Sequence, residues 1–152
     1  MRVLLQRVSR AEVRVDGEPI SEIARGLLIF VGVGHGDNDA SVDAMARRIV
    51  ELRIFRDSDG KTNRSILDAG GGALVVSQFT LYADSSRGRR PGFTDAAPPA
   101  LADRLYQRLA TRIGEAGVRP VRMGAFGAEM AVELVNDGPF TLWLDSALRR
   151  TG

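Results

Sequence analysis

Residues 26–33 read Gly-Leu-Leu-Ile-Phe-Val-Gly-Val, an unbroken apolar run of strand length. Such a run, lacking the polar–apolar alternation of a half-exposed strand, predicts a buried strand. A second β-prone stretch, ALVVSQFTLY at residues 73–82, follows three glycines at 70–72. Between the two, Val42, Met45, Ile49 and Leu52 recur at spacings of three and four, which predicts an amphipathic helix over about residues 40–53. Asp39 or Ser41 is placed to cap it.

Outward from this centre, residues 3–8 are apolar enough for a strand. Residues 11–15 alternate, turn at Asp16-Gly17 and return through residues 18–23, a hairpin signal. Residues 57–72 are turn-rich and residues 84–99 form a long loop. Pro98-Pro99 can open a helix whose Leu101, Leu105, Leu109 and Ile113 repeat every four residues to about Ala116, with Gly117 ending it. Three short β segments follow, near 119–125, 129–135 and 141–145, with a tight connection expected at 136–141. The order is βββ-α-β-α-βββ, a mixed α/β fold in one domain spanning residues 1–152. Two amphipathic helices are too few to cover both faces of a parallel sheet, so some sheet surface is expected to need a partner.

The chain contains no cysteine, which excludes disulfides, a thiolate nucleophile and thiolate metal sites. No apolar run approaches the roughly 18 residues of a membrane helix, and Met1 to Arg7 lack the apolar core of a signal peptide. A soluble, cytoplasmic protein is expected. The net charge is +2, so the chain is no polycation, yet all but one of its basic residues are arginine, Lys61 being the exception. Arginine presents a planar fork that matches phosphate oxygens. Arg87, Arg89 and Arg90 are gathered in the 84–99 loop, where they can contact phosphate or form an ordinary solvated surface.

Candidate chemistry is sparse. His35 is the sole histidine and lies in a glycine-rich loop, which supports no Ser-His-Asp triad and excludes zinc sites built on several His or Cys ligands. No metal and no cofactor are expected. Three segments stand out. Ser77-Gln78-Phe79-Thr80-Leu81 places polar residues in a strand run, with Gln78 and Thr80 on one face and Ser77 and Phe79 on the other; a half-exposed edge strand would read the same way. Asn136-Asp137-Gly138-Pro139-Phe140-Thr141 also reads as a plain β-turn, and Gly124 to Met130 (GAFGAEM) as a glycine-containing connection.

In this order and spacing the three segments resemble the D-aminoacyl-tRNA deacylase family. Arg2 to Val15, Leu52-Arg53-Ile54-Phe55, Tyr82-Ala83-Asp84, Gly88-Arg89-Arg90-Pro91 and Asp95 to Pro99 resemble it as well, so the likeness covers about residues 2–146. It implies a homodimeric hydrolase that removes D-amino acids, and mischarged glycine, from tRNA. It implies a small barrel-like α/β unit whose sheet continues across the dimer. Ser77, Gln78, Phe79 and Thr80 would line the catalytic pocket, and Phe126 and Met130 would lie beside the terminal adenosine. Gly138 and Pro139 would enter the partner's pocket and reject L side chains. X-Pro bonds are cis in roughly 5–6% of cases, so residues alone favour trans; the resemblance implies cis. The 87–90 arginines would hold tRNA, with no DNA and no membrane among the expected partners.

An aminoacyl ester beside an ammonium group is already activated, so orientation and oxyanion stabilisation by backbone N–H groups are enough. Water, assisted by the ribose 2′-hydroxyl, is the expected nucleophile. Thr80 as a covalent nucleophile is the rival, for which no base is visible. The competing class is a non-catalytic RNA-binding dimer using the 87–90 loop.

Overall fold

A computed structural model describes residues 1–148. Its centre is the parallel pair of β3 (Gly26–Gly32) and β6 (Gly72–Ser77), in register from Gly26 opposite Gly72 to Val31 opposite Ser77. β7 (Val121–Met123) extends the sheet in parallel beyond β6. On the other side, β1 (Arg2–Val15) lies antiparallel to β3 through its first half and to β2 (Glu18–Ile23) through its second. The far edge of β1 carries β8 (Ala131–Asp145) along its whole length. The helices α1 (Asp39–Glu51) and α3 (Pro99–Glu115) pack against one face of this sheet.

The unbroken apolar runs follow from this layering. Leu27, Ile29 and Val31 of β3, with Ala73 and Val75 of β6, face α1 and α3 and meet Val42, Ile49, Leu105 and Leu109. The alternate residues Leu28, Leu74 and Val76 point the other way and meet Val8, Ala11, Val13 and Ile23 in a second cluster. The sheet wraps this second cluster into a nearly closed, barrel-like shell, with β2 leaning against β6 and β7. Strands buried on both faces carry no alternation. Where β3 and β6 begin, their backbones nearly touch: a Cβ on Gly26 would fall 1.8 Å from the carbonyl oxygen of Gly72.

Several expectations need correction. The runs at 3–8 and 11–15 are one 14-residue strand, and those at 129–135 and 141–145 are one 15-residue strand. Residues 136–141 therefore form no chain reversal. Gln6 pairs with Thr141 and Val8 with Asn136, so Arg7 alone faces residues 137–140, which bulge while their flanks stay paired. Residues 73–82 are a strand only to Ser77; a 3-10 helix, Phe79–Tyr82, follows. β7 covers β6 only from Ala73 to Val75, and the edge-strand reading of residues 77–81 fails because the chain leaves the sheet after Ser77. The turn-rich stretch contains a small hairpin, β4 (Phe55–Arg56) and β5 (Thr62–Arg64), and a one-turn helix α2 (Ile66–Ala69). The cap of α1 is Asn38, whose Oδ1 accepts the Ser41 N–H at 3.1 Å while Ser41 Oγ accepts the Asn38 N–H.

Asp39 serves another purpose. It meets Arg104 at 2.8 Å, and Asp43 meets Arg108 at 3.1 Å and Arg112 at 2.9 Å, so a ladder of ion pairs runs along the α1–α3 seam. Exposed pairs of this kind contribute about 0–1 kcal/mol each. The described helices include none long and apolar enough to cross a membrane.

Candidate active site

The carboxyl ends of β3 and β6 open onto a cleft of about 840 Å³. Openings at the carboxyl ends of parallel strands are where α/β sheets commonly hold ligands. β6 stops there for a local reason. The Gln78 N–H makes a last bond to Val31 O at 2.7 Å, after which Leu81 N–H bonds Gln78 O and Ala83 N–H bonds Thr80 O. The resulting 3-10 turn packs on the glycine-rich end of β3, where a Cβ on Gly34 would lie 2.7 Å from the Tyr82 hydroxyl. Arg2 holds the turn from the opposite side, donating to Leu81 O at 3.0 Å with its guanidinium 4.4 Å above the Tyr82 ring. Burial, reinforced by the nearby Asp37 carboxylate, pushes the Tyr82 phenol well above its ordinary range.

Of the four residues expected to form the pocket, Ser77, Gln78 and Phe79 line the cleft. Thr80 lies beside it, exposed, its hydroxyl accepting from Gln78 Nε2. Phe79 is 55% exposed and meets Phe93 edge to face at 4.9 Å, so two aromatic rings stand at the mouth. The amide N–H groups of Phe79 and Thr80, at the start of the 3-10 turn, find no acceptor among the described residues.

Phe126 and Met130 form the opposite wall. Phe126 is carried on the turn closed by Ala128 N–H to Ala125 O. Behind it, Tyr106 of α3 bonds Val75 O at 3.2 Å and Gly124 O at 3.3 Å, tying the helix to both strands under the cleft. Burial pushes the Tyr106 phenol up to about 12.

Sequence reasoning missed His35, Phe93, Thr94 and Glu129, which also line the cleft. His35 Nε2 bonds the Thr94 carbonyl at 2.7 Å, joining two loops across the mouth. The available signal was position: His35 follows directly on the carboxyl end of β3. Phe93 and Thr94 come from a loop whose path no local pattern encodes.

The remaining candidates lie elsewhere. Arg87, Arg89 and Arg90 are exposed in the 84–92 loop, pinched at its base by paired Asp84–Gly92 backbone bonds of 2.8 Å, and form no salt bridge among the described residues. Gly138 and Pro139 do not line this chain's cleft. They crown the β8 bulge, exposed, and the bond between them is cis, as is Arg119–Pro120. The buried Arg7 side chain fills the bulge from below. Its Nε donates to Asp137 O at 3.1 Å, Nη1 to Ile54 O at 2.5 Å and Nη2 to Gly138 O at 3.4 Å. Asn136 Nδ2 closes the neck, donating to Arg7 O at 2.9 Å and Phe140 O at 3.0 Å.

Comparison with known proteins gives a consistent result. A family model described as D-Tyr-tRNA(Tyr) deacylase matches residues 4–145. The chain is 58% identical to a D-aminoacyl-tRNA deacylase of Thermomicrobium roseum, covering 100% of this chain and 98% of that one. It is 57% identical to a D-aminoacyl-tRNA deacylase of Cereibacter sphaeroides, covering 96% and 100%. Among solved structures, it is similar to a c-Myc DNA unwinding element binding protein, with a TM-score of 0.89 and 38% identity over 95% of this chain and 98% of that chain. A probable eukaryotic D-amino acid tRNA deacylase shares the fold, with a TM-score of 0.76 and 17% identity over 94% and 97% of the two chains.

Proposed function

This chain belongs to the D-Tyr-tRNA(Tyr) deacylase family, and on that premise we propose that it hydrolyses the ester joining a D-amino acid, or mischarged glycine, to tRNA. The observation that carries this reading is the cleft itself. It is a concave, largely apolar pocket lined by Ser77 and Gln78, with the Phe79–Phe93 aromatic pair at its mouth. A module that only holds nucleic acid would offer an open basic face instead.

The chemistry asks little of side chains. Water attacks the ester carbonyl carbon, the tetrahedral intermediate expels the ribose oxygen, and the water proton passes to that leaving oxygen. The Phe79 and Thr80 N–H groups are the donors to which the oxyanion is assigned. The ribose 2′-hydroxyl assists the water. Thr80 is not assigned as a nucleophile, because the single imidazole of the chain is held at the Thr94 carbonyl. The terminal adenosine lies beside Phe126 and Met130, stacked on an aromatic ring.

Chiral selection is assigned to Gly138 and Pro139 of a second copy in a homodimer. They are exposed, they leave their own chain's cleft free, and Arg7 fixes the bulge that carries them. A wall of backbone excludes an L side chain whatever its identity and lets glycine pass. The 87–90 arginines hold tRNA phosphates. The second reading is a nucleic-acid-binding dimer without catalysis, which the 87–90 loop and the DNA-binding name of one solved relative favour.

Incubation with D- and L-tyrosyl-tRNA separates the readings. Release from the D ester alone supports the deacylase. Equal release from both sinks chiral rejection, and binding with no release favours the second reading.

A further inference from the structure

A second cavity, of about 440 Å³, lies at the opposite end of the β3–β6 pair from the cleft. Four guanidinium groups open on it, from Arg7, Arg25, Arg56 and Arg64, against two carboxylates, Asp57 and Asp137. Both carboxylates are committed. Asp137 Oδ2 meets Arg7 Nε at 3.1 Å, and Asp57 Oδ1 accepts the backbone N–H groups of Asp59 and Lys61 at 2.9 Å each.

The arginines are not. Arg25 donates one Nη2 bond to Ala69 O at 2.7 Å and Arg64 one to Asp68 O, both at the end of α2. Arg56 approaches Asp137 no closer than 3.7 Å. A guanidinium carries five N–H donors, so most donors of these three residues stay unspent among the described residues. The two tethers also hold the side chains in place, which lowers the cost of ordering them around a ligand. Three converging cations with free planar forks, and the Ser58 hydroxyl on the same wall, suit one ligand chemistry: the oxygens of a phosphate group.

Position indicates which phosphate. The strand from Gly26 to Val31 separates the two cavities, roughly 17 Å at the usual rise per residue. One nucleotide cannot fill both. The cavity also shares Arg7 and Asp137 with the foot of the Gly138–Pro139 bulge. We propose that it grips a backbone phosphate of tRNA, outside the nucleotide seated in the same chain's cleft. This rests on the deacylase reading for its ligand. If the bulge acts in a second copy's cleft, the subunit that supplies the chiral wall also supplies this grip.

Arg56→Glu is the informative variant, because Arg56 is largely exposed and bonds no backbone group among the described residues. Arg47→Glu on α1, equally exposed and remote from both cavities, controls for charge reversal alone. Binding of uncharged tRNA is measured across a salt series, and hydrolysis is compared between D-tyrosyl-tRNA and the D-tyrosyl ester of adenosine, which carries no phosphate. Arg56→Glu should weaken tRNA binding about 10-fold and shift the log–log salt slope by about one, while Arg47→Glu changes affinity less than about twofold. Hydrolysis should fall on the tRNA ester only. Equal effects of the two variants, or equal loss on both esters, would overturn the proposal. Saturable binding of inorganic phosphate that Arg56→Glu abolishes, with tRNA affinity unchanged, would assign the cavity to a free anion and overturn it as well. If wild type hydrolyses neither ester, the deacylase reading fails, and the tRNA-binding series still decides this site.

Discussion

Arg7 and Asp137 meet through Nε and Oδ2 at 3.1 Å, the arginine side chain 2% exposed and the aspartate 36%. One end of the pair is sealed in the protein and the other reaches water. The charge of Arg7 is thus compensated at the rim, while its other N–H groups reach inward to backbone carbonyls. The ring of Phe140, 4.5 Å from the guanidinium carbon, covers it.

Arg7→Lys keeps the charge but loses the fork that serves Ile54, Asp137 and Gly138 together. Leaving the buried Ile54 carbonyl unpaired, with the part-buried Asp137 and Gly138 carbonyls beside it, should cost about 1–3 kcal/mol in urea unfolding. The bulge should loosen with it, narrowing the difference between D- and L-tyrosyl-tRNA hydrolysis. Unchanged stability together with unchanged selectivity would dismiss this role.

Thr80→Val preserves the β-branched shape and removes the hydroxyl that Gln78 engages. Hydrolysis of D-tyrosyl-tRNA should persist at a reduced rate. A folded but inactive variant, combined with an acyl-enzyme trapped on wild type, would make Thr80 the nucleophile after all.

Replacing Arg87, Arg89 and Arg90 by alanine should weaken tRNA binding and flatten its salt dependence by about 0.9 in log–log slope for each phosphate released. The loop packs on little, so the melting temperature should hardly move. An unchanged slope would return these arginines to the solvated surface.

Tyr106 makes a pH prediction. Its phenol is raised by burial from 10.0 to about 12. Below pH 10 both states keep the proton and the contribution is complete. Above it the unfolded chain ionises first, so stability falls as pH rises and the contribution is lost through about pH 12. Tyr106→Phe should show a shallower alkaline decline in urea unfolding. With only two tyrosines and one lysine in the chain, few other groups titrate in that range. An identical decline in both proteins would contradict the assignment.

The two amphipathic helices were legible from their local period, the β3 run from its unbroken apolarity and the Asp16-Gly17 hairpin from its turn residues. The joining of residues 2–15 and 131–145 into two long strands was not. Polar and glycine-proline interruptions resemble turns unless it is known that the flanking residues pair with a distant strand. For the same reason the 136–141 bulge read as a turn. Ser77, Gln78, Phe79, Phe126 and Met130, which line the cleft, were singled out only through family likeness, since their own pattern suggested an edge strand and a loop. His35 and Phe93 reach the cleft only through loop paths fixed by tertiary packing.

The ion-pair seam between α1 and α3 bears on how a polyanion meets the molecule. Those two helices hold Arg47, Arg48, Arg104, Arg108 and Arg112 against Asp39, Asp43, Glu51, Asp103 and Glu115, five charges of each sign. Outside those helices the described residues are balanced too, so net charge gives a polyanion no preferred face. What remains uneven is local: three arginines crowd the 87–90 loop and four open on the second cavity. Encounters are therefore oriented by patches a few residues wide rather than by a field of the whole molecule, and added salt should erase that bias before it erases binding.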